Sequence, residues 1–297
     1  GVEPAPVVEV ASALHELEVE WAPAAGAAVE SRGVSREFLG HLGTVTVDAL
    51  DRHTEGSALV FVPGAREVDH VVADLRSRLA GIDVVGLSGA MSAREQDHAL
   101  SDPGNVRRVI VSTAVAESSL TVPGVRLVVD SGLSREPRLD RGRGMTGLVT
   151  VRESRASAVQ RAGRAARLGP GVAVRCLRAQ DWAGMNADPT PEVDHADLVA
   201  SLLSLAVWGS PRGEGMALPT PLPQDRVAAA EEELRDLGAV DAEGRITVRG
   251  RHLATFPLDP RLARALTDGA AIVGSRRCAE IAAMLGLEAV SYTHLTL

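Results

Sequence analysis

The chain has 297 residues, of which 31 are basic and 39 acidic, so its formal net charge is −8. This length suits about two domains of roughly 100–200 residues each, and the 45% hydrophobic content excludes wholesale disorder. No apolar run approaches the ~20 residues of a membrane helix, and we find no secretory signal. The two cysteines, Cys176 and Cys278, exclude a disulfide scaffold and favour a reducing, cytoplasmic setting.

The first part of the chain has the pattern of an α/β protein. An alternating stretch at 14–21 predicts an edge strand or linker, and residues 26–182 then alternate short apolar runs with helical periodicity. The predicted strands are 58–62, 82–87, 106–111, 125–129 and 172–177, and the predicted helices are 68–79, a capped helix from 92, and 154–167. This alternation predicts a parallel, doubly wound sheet, which binds ligands at the carboxyl ends of its strands.

Residues 183–258 have a different pattern, in which two helices precede a hairpin. The helices are predicted at 198–208 and 225–237, and the hairpin at 239–249 has its turn at Glu243 and Gly244. This is the element order of a small winged-helix module. Residues 259–290 are predicted to be helical, and 291–297 break the preceding composition, which we interpret as a sequencing or assembly artefact.

Motifs for other chemistries fail on inspection. The glycines of 142–147 match a GxGxxG dinucleotide fingerprint, but a strand-like run follows them where a helix is required, so we expect a hairpin turn there. The histidines and cysteines lack metal-ligand spacing, so no metal site is predicted. Every basic residue is an arginine, and without a lysine the chain cannot contain a phosphate-binding P-loop.

Arginines concentrate in the middle of the chain. Between Arg135 and Arg178 there are eleven arginines against three acidic residues, a local balance of +8, which leaves −16 for the remainder. Such a region is either a solvated basic face or an anion site for phosphates or a nucleic-acid backbone.

One arginine-rich segment offers a specific chemistry. Gln160, Arg164 and Arg167 have i, i+4, i+7 spacing on the predicted helix 154–167, so they would share one face. Two guanidinium groups aimed at a γ-phosphate would act as arginine fingers, worth about 10³–10⁵ in rate, and Gln160 would orient the attacking water. The alternative is a surface helix whose arginines form salt bridges.

A hydroxyl-rich loop at 112–125 would donate hydrogen bonds to phosphate or ribose oxygens, although such residues also form turns and caps.

Four motifs follow the order found in one family of motor enzymes. They are LVFVPG at 59–64, STAVAESSLTVPG at 112–124, VDSG at 129–132 and QRAGRAAR at 160–167. This order resembles motifs IV, V, Va and VI of the DEAH-box ATP-dependent RNA helicases. The residues within the motifs are most similar to those of the bacterial HrpB-type branch. The resemblance covers about residues 15–288.

The resemblance implies a division of the chain. Residues 26–182 would be the second RecA-like domain, a parallel sheet with helices on both faces, followed by a winged-helix module at 183–258 and the start of a helical ratchet domain at 259–290. Residues 1–25 would be the end of the first RecA-like domain and a linker. The P-loop and DEAH box of that first domain are not in this sequence. The full-length protein would be the ATP-dependent helicase, and its Mg²⁺ would be held mainly by the missing domain. This chain alone would not hydrolyse ATP.

Two groups of residues are implied to contact ligands, one at ATP and one at a single strand of nucleic acid, expected to be RNA. The residues facing the ATP between the two RecA-like domains are Gln160, Arg164 and Arg167, with Ser119 and Thr121 sensing the nucleotide state. The residues holding phosphates of the strand are Gly64 and Thr113, beside a strand-separating hairpin at 135–148.

Two other functions stay open at this point. The first is a non-catalytic module, in which the same RecA-like and winged-helix parts grip nucleic acid or a partner. The second is a dinucleotide-binding oxidoreductase, which rests on the GxGxxG match at 142–147 alone. The helicase interpretation predicts a P-loop in the coding sequence upstream, and the binding module predicts none.

Overall fold

The computed structural model describes residues 15–286, apart from 32, 90, 102–103, 105, 118–119 and 141–144. These residues fall into two compact units, one within Gly1–Glu136 and Leu148–Pro189 and the other within Pro137–Gly147 and Thr190–Leu297. Across the described residues, no helix combines the length and the apolarity needed to cross a membrane. The predicted terminal segment at 291–297 and the last predicted helical residues, 287–290, lie outside the described residues.

The first unit is built on a parallel sheet of six strands. The described strands are β1 (Leu17–Trp21), β2 (Val29–Glu30), β3 (Gly33–Val34), β4 (Ser57–Phe61), β5 (Asp83–Leu87), β6 (Arg108–Ser112), β7 (Val125–Asp130), β8 (Leu133–Asp140), β9 (Met145–Arg152) and β10 (Gly171–Arg175). The sheet has the order β1-β10-β7-β4-β6-β5, and all its neighbouring pairs are parallel. Register places Val60 between Val111 and Val129. The strands β2 and β3 pair with each other, as do β8 and β9.

Helices cover both faces of this sheet. The described helices of the first unit are α1 (Arg36–Arg52), α2 (Ala65–Arg78), α3 (Ala93–Leu100), α4 (Arg155–Ala162) and α5 (Ala179–Ala183). Those of the second unit are α6 (Val199–Trp208), α7 (Gln224–Asp236), α8 (Val248–Leu253), α9 (Pro260–Val273) and α10 (Ser275–Gly286). Val60 packs in one core with residues of α1 and α2, whereas Leu59 and Phe61 pack in a second core with α3 and α4. Because both faces are covered, β4 is buried throughout. The predicted α/β class, with a parallel sheet and helices on both faces, is confirmed.

Helix α1 is not among the predicted elements. The Ser35 hydroxyl caps this helix by accepting a hydrogen bond from the Phe38 amide at 3.1 Å, and Phe38, Leu42, Val45 and Ala49 are buried along one side. Apolar residues repeating every three to four positions after a serine are a helical signal. This helix could therefore have been predicted from the sequence.

The paired strands β8 and β9 account for the GxGxxG match. Its first glycines, at 141–144, lie outside the described residues, but the strands on either side pair with each other. A dinucleotide fingerprint requires a strand before it and a helix after it. The strand pairing fits the predicted hairpin, whose turn lies outside the described residues. The motif leads into β9 and not into the helix that a dinucleotide fingerprint requires.

The second unit contains α6 to α10, and α6 to α9 contribute to its own apolar core. This core includes Leu202, Leu203, Leu234 and Leu253. The predicted hairpin at 239–249 is reduced to a bridge between Val240 and Ile246. Its last residues are wrongly predicted, because α8 begins at Val248 after Thr247, whose hydroxyl accepts from the Gly250 amide at 2.9 Å.

Candidate functional site

Two predicted nucleic-acid contacts lie where neighbouring strands of the sheet end. Gly64 comes three residues after β4 and is the N-cap of α2, and Thr113 directly follows β6. Since β4 and β6 are adjacent and parallel, both residues lie at the same edge. Gly64 is buried, and a Cβ there would come within 2.4 Å of Arg135 Cζ and 2.6 Å of Glu67 Oε2. A side chain at this position would therefore displace the Arg135–Glu67 ion pair.

The loop after β6, residues 113–124, contains the residues predicted to sense a nucleotide. It begins with a 3₁₀ turn at Ala114–Ala116, and the Thr113 amide donates to Leu87 O at 3.2 Å. Thr121 is exposed and Thr113 is half-buried. Ser119 lies outside the described residues. Two of the three predicted loop residues are thus described, and both are accessible from solvent.

The arginine-rich segment is a shorter helix than predicted. Helix α4 ends at Ala162, and the amides of 164, 165 and 166 each donate to the carbonyl three residues back, the bonding of a 3₁₀ turn. Gln160, Arg164 and Arg167 therefore do not share one helical stripe, and that prediction is wrong. Gln160 and Arg167 are exposed, whereas Arg164 is only 4% exposed.

Arg164 is bound to the loop after β6. Its Nε donates to Glu117 O at 2.9 Å, its Nη1 donates to Leu120 O at 2.7 Å, and its Nη2 also donates to Glu117 O. Burial lowers the pKa of Arg164, and the positive charge of Arg167 lowers it further. Arg167 follows three residues later and is exposed, and an anion that faced both guanidinium groups would be bound favourably.

A buried ion cluster beside Arg164 is not predicted by the sequence analysis. The Arg161 side chain is 1% exposed and contacts three carboxyl groups, with Nε 2.9 Å from Glu117, and Nη1 3.1 Å from Asp130 and 2.6 Å from Glu153. Its guanidinium also lies 5.0 Å from the centroid of the Phe61 ring, within cation–π range. The sequence signal was weak, because an arginine within the QRAGRAAR motif does not reveal its partners.

Three carboxyl groups surround the single Arg161 guanidinium, and a proton on Glu153 reduces this excess of negative charge. Burial, reinforced by the charge of Asp130, raises the pKa of Glu153 to about 10 despite the neighbouring Arg161. Glu153 is therefore neutral at neutral pH and can donate a hydrogen bond to Asp130. Burial lowers the pKa of Arg161, but the charge of Asp130 and the charge and hydrogen bond of Glu117 outweigh it and raise the pKa overall. Arg161 keeps its charge.

The chain thus combines a parallel sheet that carries an arginine-rich segment with a second, helical unit after it. A model of the helicase conserved C-terminal domain matches residues 42–169. A model of the helicase-associated domain HA2, a winged helix, matches residues 230–258. The first match includes both the loop after β6 and α4.

Several known proteins are similar to the chain. The ATP-dependent RNA helicase HrpB of Escherichia coli K12 is 38% identical over 237 residues, which are 79% of this chain and 29% of the relative. The probable ATP-dependent RNA helicase DHX35 homolog of Caenorhabditis elegans is 33% identical over 84% of this chain and 35% of its own length. A crystal structure of the E. coli DEAH/RHA helicase HrpB matches with a TM-score of 0.84 and 33% identity, over 96% of this chain and 35% of that chain.

The chain belongs to the DEAH-box RNA helicase family. The two domain matches occur in chain order, and the sequence and structural matches agree on the same relative. The chain spans 29% and 35% of the lengths of the two curated relatives named above.

Proposed function

We propose that this chain is the C-terminal part of an ATP-dependent RNA helicase and supplies one face of its ATP site together with contacts to a single RNA strand. In this proposal residues 26–182 are the second RecA-like domain, 183–258 the winged-helix module and 259–290 the start of the ratchet domain. Residues 1–25 are the linker from the first RecA-like domain, and their strand β1 belongs to the sheet of the second domain because it pairs with β10.

The observation that carries the proposal is the pair of arginines beside Gln160. Arg164 is buried, and both this burial and the nearby Arg167 disfavour its charged form. A γ-phosphate facing both guanidinium groups would offset that penalty, because arginine forms strong bidentate bonds to phosphate. Perturbed groups of this kind concentrate at functional sites. The exposed Gln160 would orient the attacking water.

In the proposed mechanism, Arg164 exchanges its two carbonyl partners for oxygens of the γ-phosphate. Charge-assisted bonds to phosphate are stronger than bonds to neutral carbonyls, so the exchange is favourable once ATP binds. It releases the Glu117 and Leu120 carbonyls of the loop after β6, which carries Ser119 and Thr121. The Glu117 side chain stays bound to Arg161, so the loop would move together with α4. Movement of this loop would shift Thr113 relative to Gly64, and so change the grip on the RNA phosphates.

The proposed partners are a P-loop domain and single-stranded RNA. Hydrolysis requires a P-loop lysine, and this chain has no lysine. The Mg²⁺ bound with ATP would be held mainly by the P-loop domain. Contacts to RNA phosphates give little sequence preference. The free cysteines Cys176 and Cys278 suit a reducing compartment, so we assign the protein to the cytoplasm.

The test is the ATPase rate of the intact gene product with and without single-stranded RNA. Arg164→Ala is expected to lower kcat by about 10³-fold or more while RNA affinity stays nearly unchanged. Arg126→Ala is the matched control, since Arg126 lies at the start of β7 and binds Pro170 O. Unchanged turnover in Arg164→Ala would contradict the finger assignment. An unsubstituted protein that binds RNA without hydrolysing ATP would instead support the non-catalytic binding module.

A further inference from the structure

The Arg161 guanidinium lies where three parts of the first unit meet. Its Nε binds Glu117 in the loop after β6 at 2.9 Å. Its Nη1 binds Asp130 at the end of β7 and the carbonyl of Leu133 at the start of β8, both at 3.1 Å. The same Nη1 lies 2.6 Å from Glu153, the residue directly after β9. One side chain on α4 therefore reaches the loop, the sheet and the base of the hairpin.

Both ends of the β8–β9 hairpin are fixed to this side chain. Leu133 begins β8 and Glu153 follows β9, and the Glu153 amide donates to Gly132 O at 3.1 Å, which ties the two ends together. The Arg161 side chain is 1% exposed, so water cannot replace these contacts when they break. The hairpin base therefore cannot shift relative to α4 without a large free-energy penalty.

The loop after β6 has two separate attachments to the arginine-rich segment. Arg164 binds the main-chain carbonyls of Glu117 and Leu120. The Glu117 side chain is bound independently by Arg161 and by the Ser157 hydroxyl, which donates to Oε1 at 2.5 Å. If Arg164 turns toward a nucleotide, the second attachment still holds the loop on α4.

We infer that Arg161 is a positioning residue that makes α4, the loop after β6 and the hairpin base move as one body. The inference rests on the proposed function, in which nucleotide acts on α4 and RNA acts on the loop and the hairpin. Arg161 touches neither ligand and acts through Glu117, Leu133 and Glu153. A lysine cannot replace it, because a single ammonium group lacks the planar fork that bonds in several directions at once.

The activity test compares Arg161→Lys with Arg108→Lys in the intact gene product. Arg108 is also buried and binds Asp83 at 2.8 Å, but on β6, away from this cluster. In Arg161→Lys we expect RNA stimulation of ATPase to fall about fivefold or more, the size of a typical coupling between two sites, while basal turnover stays within about threefold. Arg108→Lys should keep its stimulation. A conservative variant, Glu117→Gln, should also keep most of it, because the amide oxygen can accept from Arg161.

Two activity results would overturn the inference. One is full RNA stimulation in Arg161→Lys. The other is an equal loss of basal and stimulated turnover in Arg161→Lys and Arg108→Lys, which would indicate a general folding defect. Absence of any ATPase in the unsubstituted protein contradicts the proposed function instead.

Hydrogen exchange of the chain itself decides the inference without any activity. In Arg161→Lys, amide exchange should rise together in the loop after β6 and at the hairpin base, residues 132–136 and 150–153. In Arg108→Lys it should rise around β6 and not at the hairpin base. Unchanged exchange at both places in Arg161→Lys would overturn the inference, whatever the ATPase shows.

Discussion

Each unit of the molecule contains an arginine that contacts three carboxyl groups, and the two clusters differ in burial. In the second unit, Arg261 Nη1 lies 2.6 Å from Asp197 and 3.1 Å from Asp259, and its Nη2 lies 2.6 Å from Glu233. The Arg261 side chain is 23% exposed, against 1% for Arg161. The two clusters therefore each have one arginine and three carboxyl groups, but they differ in access to water.

The difference shows how a protein accommodates excess negative charge around one arginine. The carboxyl groups around Arg261 are 15%, 37% and 38% exposed, so water solvates the surplus charge. In the Arg161 cluster, Asp130 and Glu153 are 4% and 0% exposed, and a proton on Glu153 replaces that solvation. A buried arginine that must hold several elements together is thus paired with a carboxyl group that stays neutral.

The largest expected effect is the loss of the buried arginine. Arg161→Ala leaves Asp130 and Glu117 without their buried partner, and breaking a buried pair in this way costs about 3–5 kcal/mol of unfolding free energy. Arg261→Ala, in the half-exposed cluster, should cost about 1 kcal/mol. Urea unfolding measures both, with Trp21 and Trp182 reporting on the first unit and Trp208 on the second. Equal losses of unfolding free energy in the two variants would show that burial does not determine the cost of removing these arginines.

The next effect is a pH dependence confined to the buried cluster. Glu153 binds its proton more tightly in the folded chain than in the unfolded chain, with a pKa raised to about 10 against an ordinary value near ~4.3. The folded state then binds more protons between these values, so this residue's contribution to unfolding free energy is complete below pH ~4.3 and is lost as pH rises toward about 10.

Glu153→Gln isolates this contribution, because it imitates the neutral carboxyl group and cannot titrate. The variant should remain close to the parent in stability at low pH, and its stability should fall less between pH 5 and pH 9. Unfolding curves across this range measure the difference between the two proteins. Parallel pH profiles would show that Glu153 is ionised in the folded chain.

The smallest effect is expected at a fully solvated arginine. The Arg276 side chain is 95% exposed and lies 3.2 Å from Glu280, one helical turn away on α10. Such a pair contributes about 0.2–0.5 kcal/mol, so Arg276→Ala should change the unfolding free energy by no more than about 0.5 kcal/mol. A loss above 1 kcal/mol, measured in the same urea series, would mean that burial does not rank these three arginines.

The strands and the helices that cover them could largely be predicted from the sequence, because apolar runs and helical periodicity are local signals. The capped helix α3 shows this well, since Ser92 and Glu95 form the expected capping box. The same local rules would have found α1, with its cap at Ser35. Local signals thus suffice for the elements that bury one face or both.

The site was less predictable, because its contacts join residues distant in sequence. Arg161 binds Asp130 and Glu117, which precede it by 31 and 44 residues, and no spacing rule connects them. Helix α4 ends at its C-cap, Gly163, and Arg164 beyond it binds Glu117 O and Leu120 O across the loop. The motif resemblance pointed to Gln160, Arg164 and Arg167. Only the structure revealed that the Arg164 guanidinium already binds two main-chain carbonyl groups.

The most direct test of the account is a structure of the intact gene product with single-stranded RNA and a γ-phosphate mimic such as ADP–aluminium fluoride. We expect the Arg164 guanidinium to leave Glu117 O and Leu120 O and to bind the mimic, while Arg161 keeps its contacts to Glu117 and Glu153. An Arg164 that remains on the two carbonyls, with the mimic bound elsewhere, would contradict the account.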